Sequence, residues 1–514
     1  MPASNKIKGS IAISQQKKLK KYPTDKLLHS KVLSGYQPDF ARAILQEPEY
    51  TIEDARAALD KVLKGGKWTN QNKGQPGVYI NVKSKGNINT NVGDKGIVVI
   101  AEPLSWGPTE TIKEILPGED LRPYIGYDIT SPKALFLREM MKGSDVSTGP
   151  IKILLYRPKG SGGKKATVTS GALTITALYE GIRGNDISII VQEQADHAGA
   201  FDVSTVIDGT IVDEQTIKKL DDLKENAWVT FDGTGADITE TAGVILAGGT
   251  DPAISSSDYA AFLTAIEPYR FDILVYDGTD DTAIQAIAAF VKRVSNSIGQ
   301  KCQAVMANAH TVNSEWVISV NNGVKLSDGT VLTAQQATWW LGGAEAGARY
   351  NQSLTYAQYP DAVEANPKLT DGQITAAIQS GEIVFIDTFG SVKVCTDINT
   401  LTSYSVDKGQ EFSKNRVMRV LNQFCNDVYK QFSLYYIGKT DNTETGRNLM
   451  KGWIVGYLNE IQAGNGIQNF VADDVQVREG NSVDSVRIDV AIQPVDSIEK
   501  IYMIVTVSVN TATQ

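Results

Sequence analysis

The sequence predicts an α/β protein of several domains, α+β in overall character. It has an α/β core, an inserted β-rich domain, and a C-terminal region of helices and strands ending in a terminal β-strand arm. Three observations predict this. Short continuous apolar runs such as GIVVIAEP (Gly96–Pro103) and FDILVYDG (Phe271–Gly278) alternate with stretches of helical period. That pattern favours βαβ units with strands buried on both faces. Residues 164–250 hold successive β-rich runs separated by turn residues, bounded by GSGGKK (Gly160–Lys165) and AGGTDP (Ala247–Pro252), as an insertion would be. The last hundred residues join two amphipathic helices to strongly alternating strands.

The elements follow in order. Residues 1–64 read as a separate basic arm and helical extension. Lys6, Lys8, Lys17, Lys18, Lys20, Lys21, Lys26 and Lys31 face one acid, Asp25. This is either a solvated arm or a surface that docks on an acidic neighbour. Thr51 and Asp54 resemble a capping box, and Ile52, Ala55, Leu59 and Val62 recur at helical spacing before Gly65-Gly66. Residues 65–160 start the core, with an alternating strand in GVYINVKS (Gly77–Ser84), then GIVVIAEP, a Trp106-Gly107-Pro108 turn and IKILLYRP (Ile151–Pro158). Residues 161–252 are the β insertion, with strands in ALTITALY, NDISIIVQE, FDVSTVIDG and AWVTFDG. Residues 253–405 are α/β. They include a helix marked by Ile284, Ile287, Ala288, Val291 and Val294, a strand in CQAVMANA (Cys302–Ala309) and a helix over Thr333–Ala348. EIVFID (Glu382–Asp387) and VKVC (Val392–Cys395) follow as strands. Residues 406–514 hold a helix on Val417, Val420, Leu421, Phe424, Val428 and Phe432. A second helix runs through Trp453, Tyr457 and Ile461, with Gly464 placed to cap it. Strands in SVRIDVAIQP (Ser485–Pro494) and EKIYMIVTVSV (Glu499–Val509) close the chain. The last strand either joins its own sheet or pairs with another chain.

Composition narrows the function. The 514 residues are 42% hydrophobic and 21% charged, with a formal net charge of −9. This argues against nucleic-acid binding by the whole chain. No apolar run reaches the roughly 18 to 20 residues that cross a bilayer, so membrane insertion is not expected. The N-terminus lacks an apolar secretion segment, and the chain is expected to be made in a cytoplasm. Cys302, Cys395 and Cys425 are too far apart for a disulfide framework or a zinc motif and read as buried free thiols.

Motifs for chemistry are nearly absent. The only histidines, His29, His197 and His310, are isolated. Gly438-Lys439-Thr440 resembles the end of a P-loop, but Ser433 stands where that pattern needs glycine. Gly233-Thr234-Gly235 reads as a hairpin turn. Asp277, Asp280 and Asp281 follow a strand end, where α/β proteins bind metals; a turn with a helix cap is the other reading. No catalytic residue, metal or cofactor is assigned.

Five stretches together resemble the contractile tail sheath family, particularly that of phages and R-type bacteriocin-like particles of Gram-positive bacteria. They are KWTNQNKGQPGVYINVKS (Lys67–Ser84), VGDKGIVVIAEPLSWGP (Val92–Pro108), ALYEGIRGNDISIIV (Ala177–Val191), WWLGGAEAGARYNQSLTYAQYPDAV (Trp339–Val363) and GRNLMKGWIVGYLNEIQAGNGIQNF (Gly446–Phe470). Residues 1–64 depart from the pattern. The resemblance implies a structural subunit that polymerises as a helical stack of hexameric rings around an inner tail tube. Contraction would then drive the tube through a target envelope. Its implied partners are copies of itself, the tail tube protein, and baseplate and tail terminator proteins. Its place would be the tail of a virion or phage-like particle, assembled in the bacterial cytoplasm. Strand arms linking subunits would be carried by Val78, Tyr79, Ile80 and Val82 and by Ile501, Met503, Val505 and Val507. Gly74-Gln75-Pro76 and Val495–Ile498 are the candidate hinges. Arg447 and Lys451 are candidates to face the tube. Two other functions remain open on the residues alone. One is an enzyme using Asp277–Asp281. The other is a surface or receptor-binding module using the β insertion, whose aromatics are Tyr179, Phe201, Trp228 and Phe231.

Overall fold

A computed structural model describes residues 95–235 and 237–507 of the chain. The run after Gly96 forms β1 (Ile97–Ala101), followed by β2 (Ile112–Ile115), helix α1 (Leu135–Met141) and β3 (Lys152–Tyr156). The β-rich region gives β4 (Lys165–Ser170), β5 (Leu173–Glu180), β6 (Ile187–Glu193) and β7 (Phe201–Ile207). It continues with β8 (Thr210–Ile217), β9 (Val229–Asp232) and β10 (Thr241–Ile245). Next come α2 (Ser256–Ile266), β11 (Ile273–Tyr276), α3 (Asp281–Arg293), β12 (Gln303–Ala307) and β13 (Val317–Val320). Beyond them lie β14 (Gly323–Leu326), β15 (Val331–Leu332), α4 (Ala334–Gly347), β16 (Ala362–Asn366) and α5 (Asp371–Gln379). The expected EIVFID strand is two strands, β17 (Glu382–Ile383) and β18 (Phe385–Thr388), before β19 (Ser391–Val394). Helices α6 (Asn415–Tyr435) and α7 (Glu444–Ala463) lead to β20 (Ile467–Gln468), β21 (Val475–Glu479), β22 (Val486–Val490) and β23 (Gln493–Pro494).

The core is a seven-stranded sheet in the order β17-β13-β12-β11-β1-β3-β2. All neighbours pair parallel except β2, which runs antiparallel to β3 at the edge. Successive side chains of a strand point to opposite faces, and both faces are covered. Val98 and Ile100 pack with Leu137, Met140 and Trp340 from α1 and α4. Val99 and Ala101 pack with Phe262, Ile287 and Val291 from α2 and α3. This two-sided burial explains why the strands read as unbroken apolar runs. Each fully buried Val, Leu or Ile contributes roughly 1.5–3 kcal/mol.

The segment WWLGGAEAG is the buried helix α4. The Trp340 ring stacks on Tyr359 at 4.2 Å between centroids, and its indole N–H donates to the Gly143 carbonyl at 2.7 Å. The two glycines let α4 approach its neighbours. A Cβ on Gly343 would lie 1.8 Å from the Met140 carbonyl oxygen, and one on Gly342 would lie 2.2 Å from Val275.

The insertion is a sandwich of two sheets, β4-β5-β9 and β10-β6-β7-β8. They close over Ile175, Ile189, Val203, Trp228 and Val229. Its entry and exit are bridged by Ser161 with Ala253 and Lys164 with Thr250, so the chain leaves and returns at one place. Gly233-Thr234-Gly235 is not a hairpin turn. It leads from β9 in one sheet toward β10 in the other, and the Gly235 N–H donates to Asp221 at 2.9 Å.

In the C-terminal region, α6 and α7 pack with the small sheets β20-β23 and β21-β22 around Val420, Ile454, Leu458 and Ile461. Gly464 does cap α7, though with φ −84° rather than in the left-handed region, which Asn465 adopts at φ 59°. A Cβ there would meet the Tyr350 hydroxyl at 2.0 Å, so a larger residue would have to displace that ring. Gly438-Lys439-Thr440 forms the turn after α6, with the Lys439 ammonium donating to the Leu434 carbonyl. Of the three cysteines only Cys302 is fully buried; Cys395 and Cys425 are partly exposed, and all three are free thiols. The strand expected over Glu499–Val509 does not form within the described residues. Residues 495–507 belong to no strand, and residues 508–514 lie outside the described part. Among the described residues, no helix is long and apolar enough to cross a membrane.

Candidate assembly interface

An exposed tail and its root define the site. The large apolar side chains of Ile501, Tyr502, Met503, Ile504, Val505 and Val507 are 75–93% exposed. Six such residues in seven positions, outside any described sheet, leave both their apolar surface and their backbone groups open to a partner. The four C-terminal arm residues singled out from sequence all lie in this segment. Val78, Tyr79, Ile80 and Val82 lie outside the described residues, as does Gly74-Gln75-Pro76.

The root is polar and ordered. The Val495 N–H donates to the Gly466 carbonyl at 2.9 Å. The Glu499 carboxylate accepts from the Thr355 hydroxyl at 2.8 Å and the Thr396 hydroxyl at 3.3 Å, and it pairs with the Lys414 ammonium. Its side chain is 15% exposed. Behind this socket lies a buried ionic knot. Arg419 on α6 donates to Glu345 at 2.8 Å and to Asp397 at 2.7 Å, and Asn415 donates to Asp397 at 2.9 Å. The Asp397 N–H in turn donates to the Thr355 hydroxyl at 2.9 Å. Two acids thus share one guanidinium. Burial, with the Asp397 charge beside it, pushes the Glu345 carboxyl up to about 8 despite its bond to Arg419. Desolvation also works against the Asp397 charge, but Arg419 and the Leu354 N–H outweigh it and hold that carboxyl below its ordinary value. Within the knot, Asp397 is thus the carboxylate that balances the Arg419 charge, while Glu345 holds its proton more readily than an ordinary acid.

The residues proposed to face a tube sit on α7. Arg447 is mostly buried: it donates to the Asn442 side chain at 2.9 Å and to Glu479 at 3.0 Å. This ties the start of α7 to the end of β21. Lys451, one turn on, is half-exposed.

The acids after β11 do three separate jobs. Asp280 caps α3, accepting from the Thr282 N–H at 2.9 Å, and Asp281 lies in the first turn. Asp277 turns inward and accepts from the Trp339 indole at 2.8 Å. Burial pushes its carboxyl up, and burial together with Asp277 pushes Glu102 well up. The three acids are thus spread over capping and packing contacts. The aromatics of the insertion also face inward. Trp106, from the Trp-Gly-Pro turn, meets Tyr179 edge-on at 5.2 Å and Trp228 at 5.0 Å, so Trp228 and Tyr179 are packing groups and do not form a recognition surface.

Two buried arginines that sequence reasoning missed fasten the insertion to the core. Arg157 donates to the carbonyls of Leu104, Gly107 and Glu180. Arg183 donates to the Gly126 carbonyl at 2.9 Å and pairs with Asp186 and Asp208. Beside them Asn185 exchanges hydrogen bonds with the Gly249 backbone at 2.8 and 3.0 Å. The stretch EGIRGND is therefore a joint between the core and the insertion, and its close mixture of glycines with Arg183, Asn185 and Asp186 was the available signal.

Four family models match along the chain. They are the phage tail sheath protein central domain (253–400), the phage tail sheath C-terminal domain (407–508), the phage tail sheath protein β-sandwich domain (161–251) and the tail sheath protein Gp18 domain III N-terminal region (95–147). The PBSX phage-like element protein XkdK of Bacillus subtilis (strain 168) is 35% identical over 477 residues, covering 87% of this chain and 100% of that protein. This chain belongs to the phage tail sheath family. The crystal structure of a sheath tail protein from Desulfitobacterium hafniense is 43% identical with a TM-score of 0.75, covering 83% of this sheath chain and 99% of that one. The sheath tail protein of Listeria innocua is 32% identical with a TM-score of 0.68, covering 80% and 94% of the two chains. The sheath chain is thus a structural subunit of a contractile tail, with the mixed helix and sheet architecture expected from its sequence.

Proposed function

We propose that this sheath subunit polymerises with copies of itself into hexameric rings stacked helically around an inner tail tube, and that compaction of the stack drives the tube through a target cell envelope. The observation that carries this reading is the apolar segment Ile501–Val507, exposed and outside every described sheet. An extended apolar strand gains affinity by adding to the sheet edge of a neighbour, with main-chain hydrogen bonds giving strength and alternate side chains giving register. Val78, Tyr79, Ile80 and Val82 would supply the second arm. The small β21-β22 sheet is marginal by itself and offers an edge for added strands. Strand links survive a large rigid-body movement if short joints absorb the change. The energy of contraction would be stored at assembly in a metastable extended array, so no nucleotide is needed.

In this reading Lys451 on α7 faces the tube, with Arg447 holding the helix in place from behind. Tail tube, baseplate and terminator proteins are the other partners, and assembly takes place in the bacterial cytoplasm. Negative-stain electron microscopy of the purified chain with tube protein tests the proposal. It predicts hollow tubes with a helical repeat; dispersed monomers at every concentration would contradict it.

A further inference from the structure

We infer that Glu499 is a clasp that fixes where the C-terminal arm leaves the subunit, so that the arm bends after Glu499, at Lys500, and not in Val495–Ile498. The inference rests on the sheath reading for its meaning in assembly, but its geometry stands within one chain. Sequence places the hinge in Val495–Ile498. In the structure that stretch is held at both ends. Before it, β23 pairs with β20 and the Val495 N–H is bonded to Gly466. After it, the Glu499 carboxylate engages three groups from three separate segments, Thr355, Thr396 and Lys414. Only three residues, Asp496–Ile498, lie between the two anchors. A segment fixed at both ends over so short a span cannot swing a following strand.

The contrast in burial is abrupt. Glu499 is 15% exposed, while Ile498 on one side is 86% exposed and Ile501 on the other 79%. One acid is thus drawn inward between two exposed apolar side chains. The socket is rigid because its walls are bonded onward. Lys414 stands at the start of α6 and is bridged to Ile398, and Thr355 is held by Asp397 within the Arg419 knot. Tension on an arm bound to a neighbour would pass through the Glu499 carboxylate into α6 and the central domain. It would bypass the two-residue β20-β23 ladder, which alone is weak. Glu499 is therefore a positioning residue for assembly.

The test uses the full chain. Trypsin cleavage after Lys500 is compared in wild-type monomer, Glu499→Gln, Lys414→Gln, and the double variant carrying both substitutions. Cleavage needs an extended mobile stretch around the bond. A charge-assisted contact worth a factor of about ten in local opening should therefore make Glu499→Gln and Lys414→Gln cut about tenfold faster, with the double variant little faster than either single one because both remove the same pair. Global thermal unfolding of the variants should stay near wild type. The same variants are then mixed with tube protein, where loosened arms should give fewer or irregular tubes. Equal cleavage rates in wild type and Glu499→Gln would overturn the clasp, whatever the tubes look like. Absence of tubes in wild type would count against the sheath reading alone, since the cleavage comparison would still decide the clasp.

Discussion

Arg419, Glu345 and Asp397 meet from three distant points of the chain, and that is why the knot was invisible in sequence. No spacing relates residues 345, 397 and 419, and a lone buried acid looks like any other acid until the fold brings its partners. The arrangement has a pH consequence. The Glu345 carboxyl is raised in the folded chain from its ordinary value of 4.5 to about 8. A raised acid favours the folded state while it keeps its proton. That contribution is complete below about 4.5 and is lost as pH rises toward and through about 8. Glu345→Gln keeps the shape and removes the titration. Denaturant titrations from pH 5 to 9 should therefore show a flatter loss of stability for Glu345→Gln than for wild type. Glu102, raised by burial and by Asp277, works in the same direction, so Glu102→Gln should also gain relative stability at alkaline pH. The cap at Asp280 could be read locally because caps are local; the inward turn of Asp277 toward Trp339 could not.

At the scale of elements, the buried strands of the core were legible because two-sided burial writes itself as a continuous apolar run. The sandwich was only half legible. Strands β5 and β6 alternate cleanly, whereas β8 reads TIVDEQTI and is mostly exposed or half-exposed along its length, so polar positions mask its period. The Trp-Gly-Pro turn is recognisable as a turn, but its role in joining two domains appears only in three dimensions. Trp106 is fully buried against Tyr179 and Trp228. Trp106→Ala should cost about 3–5 kcal/mol in denaturant unfolding and should separate melting of the insertion from melting of the core. Gly343→Ala tests the close approach of α4. Its Cβ has no room beside the Met140 carbonyl, so a loss of about 1–3 kcal/mol or more is expected from overpacking. The strand predicted at the C-terminus has strand chemistry without a strand partner inside the described chain. Periodicity records what a segment can pair as; it does not say in which molecule.

For the whole molecule, the account is that a well-packed three-part body carries an arm belonging to the assembly. The body should fold without the arm, since Ile501–Val507 buries little within its own chain. The most direct test is to delete Ile501–Gln514 and compare the shortened chain with the full one by thermal unfolding and by electron microscopy in the presence of tube protein. The account predicts an unfolding midpoint within a few degrees of the full chain and no tubes. Tubes of normal helical repeat from the shortened chain would contradict it.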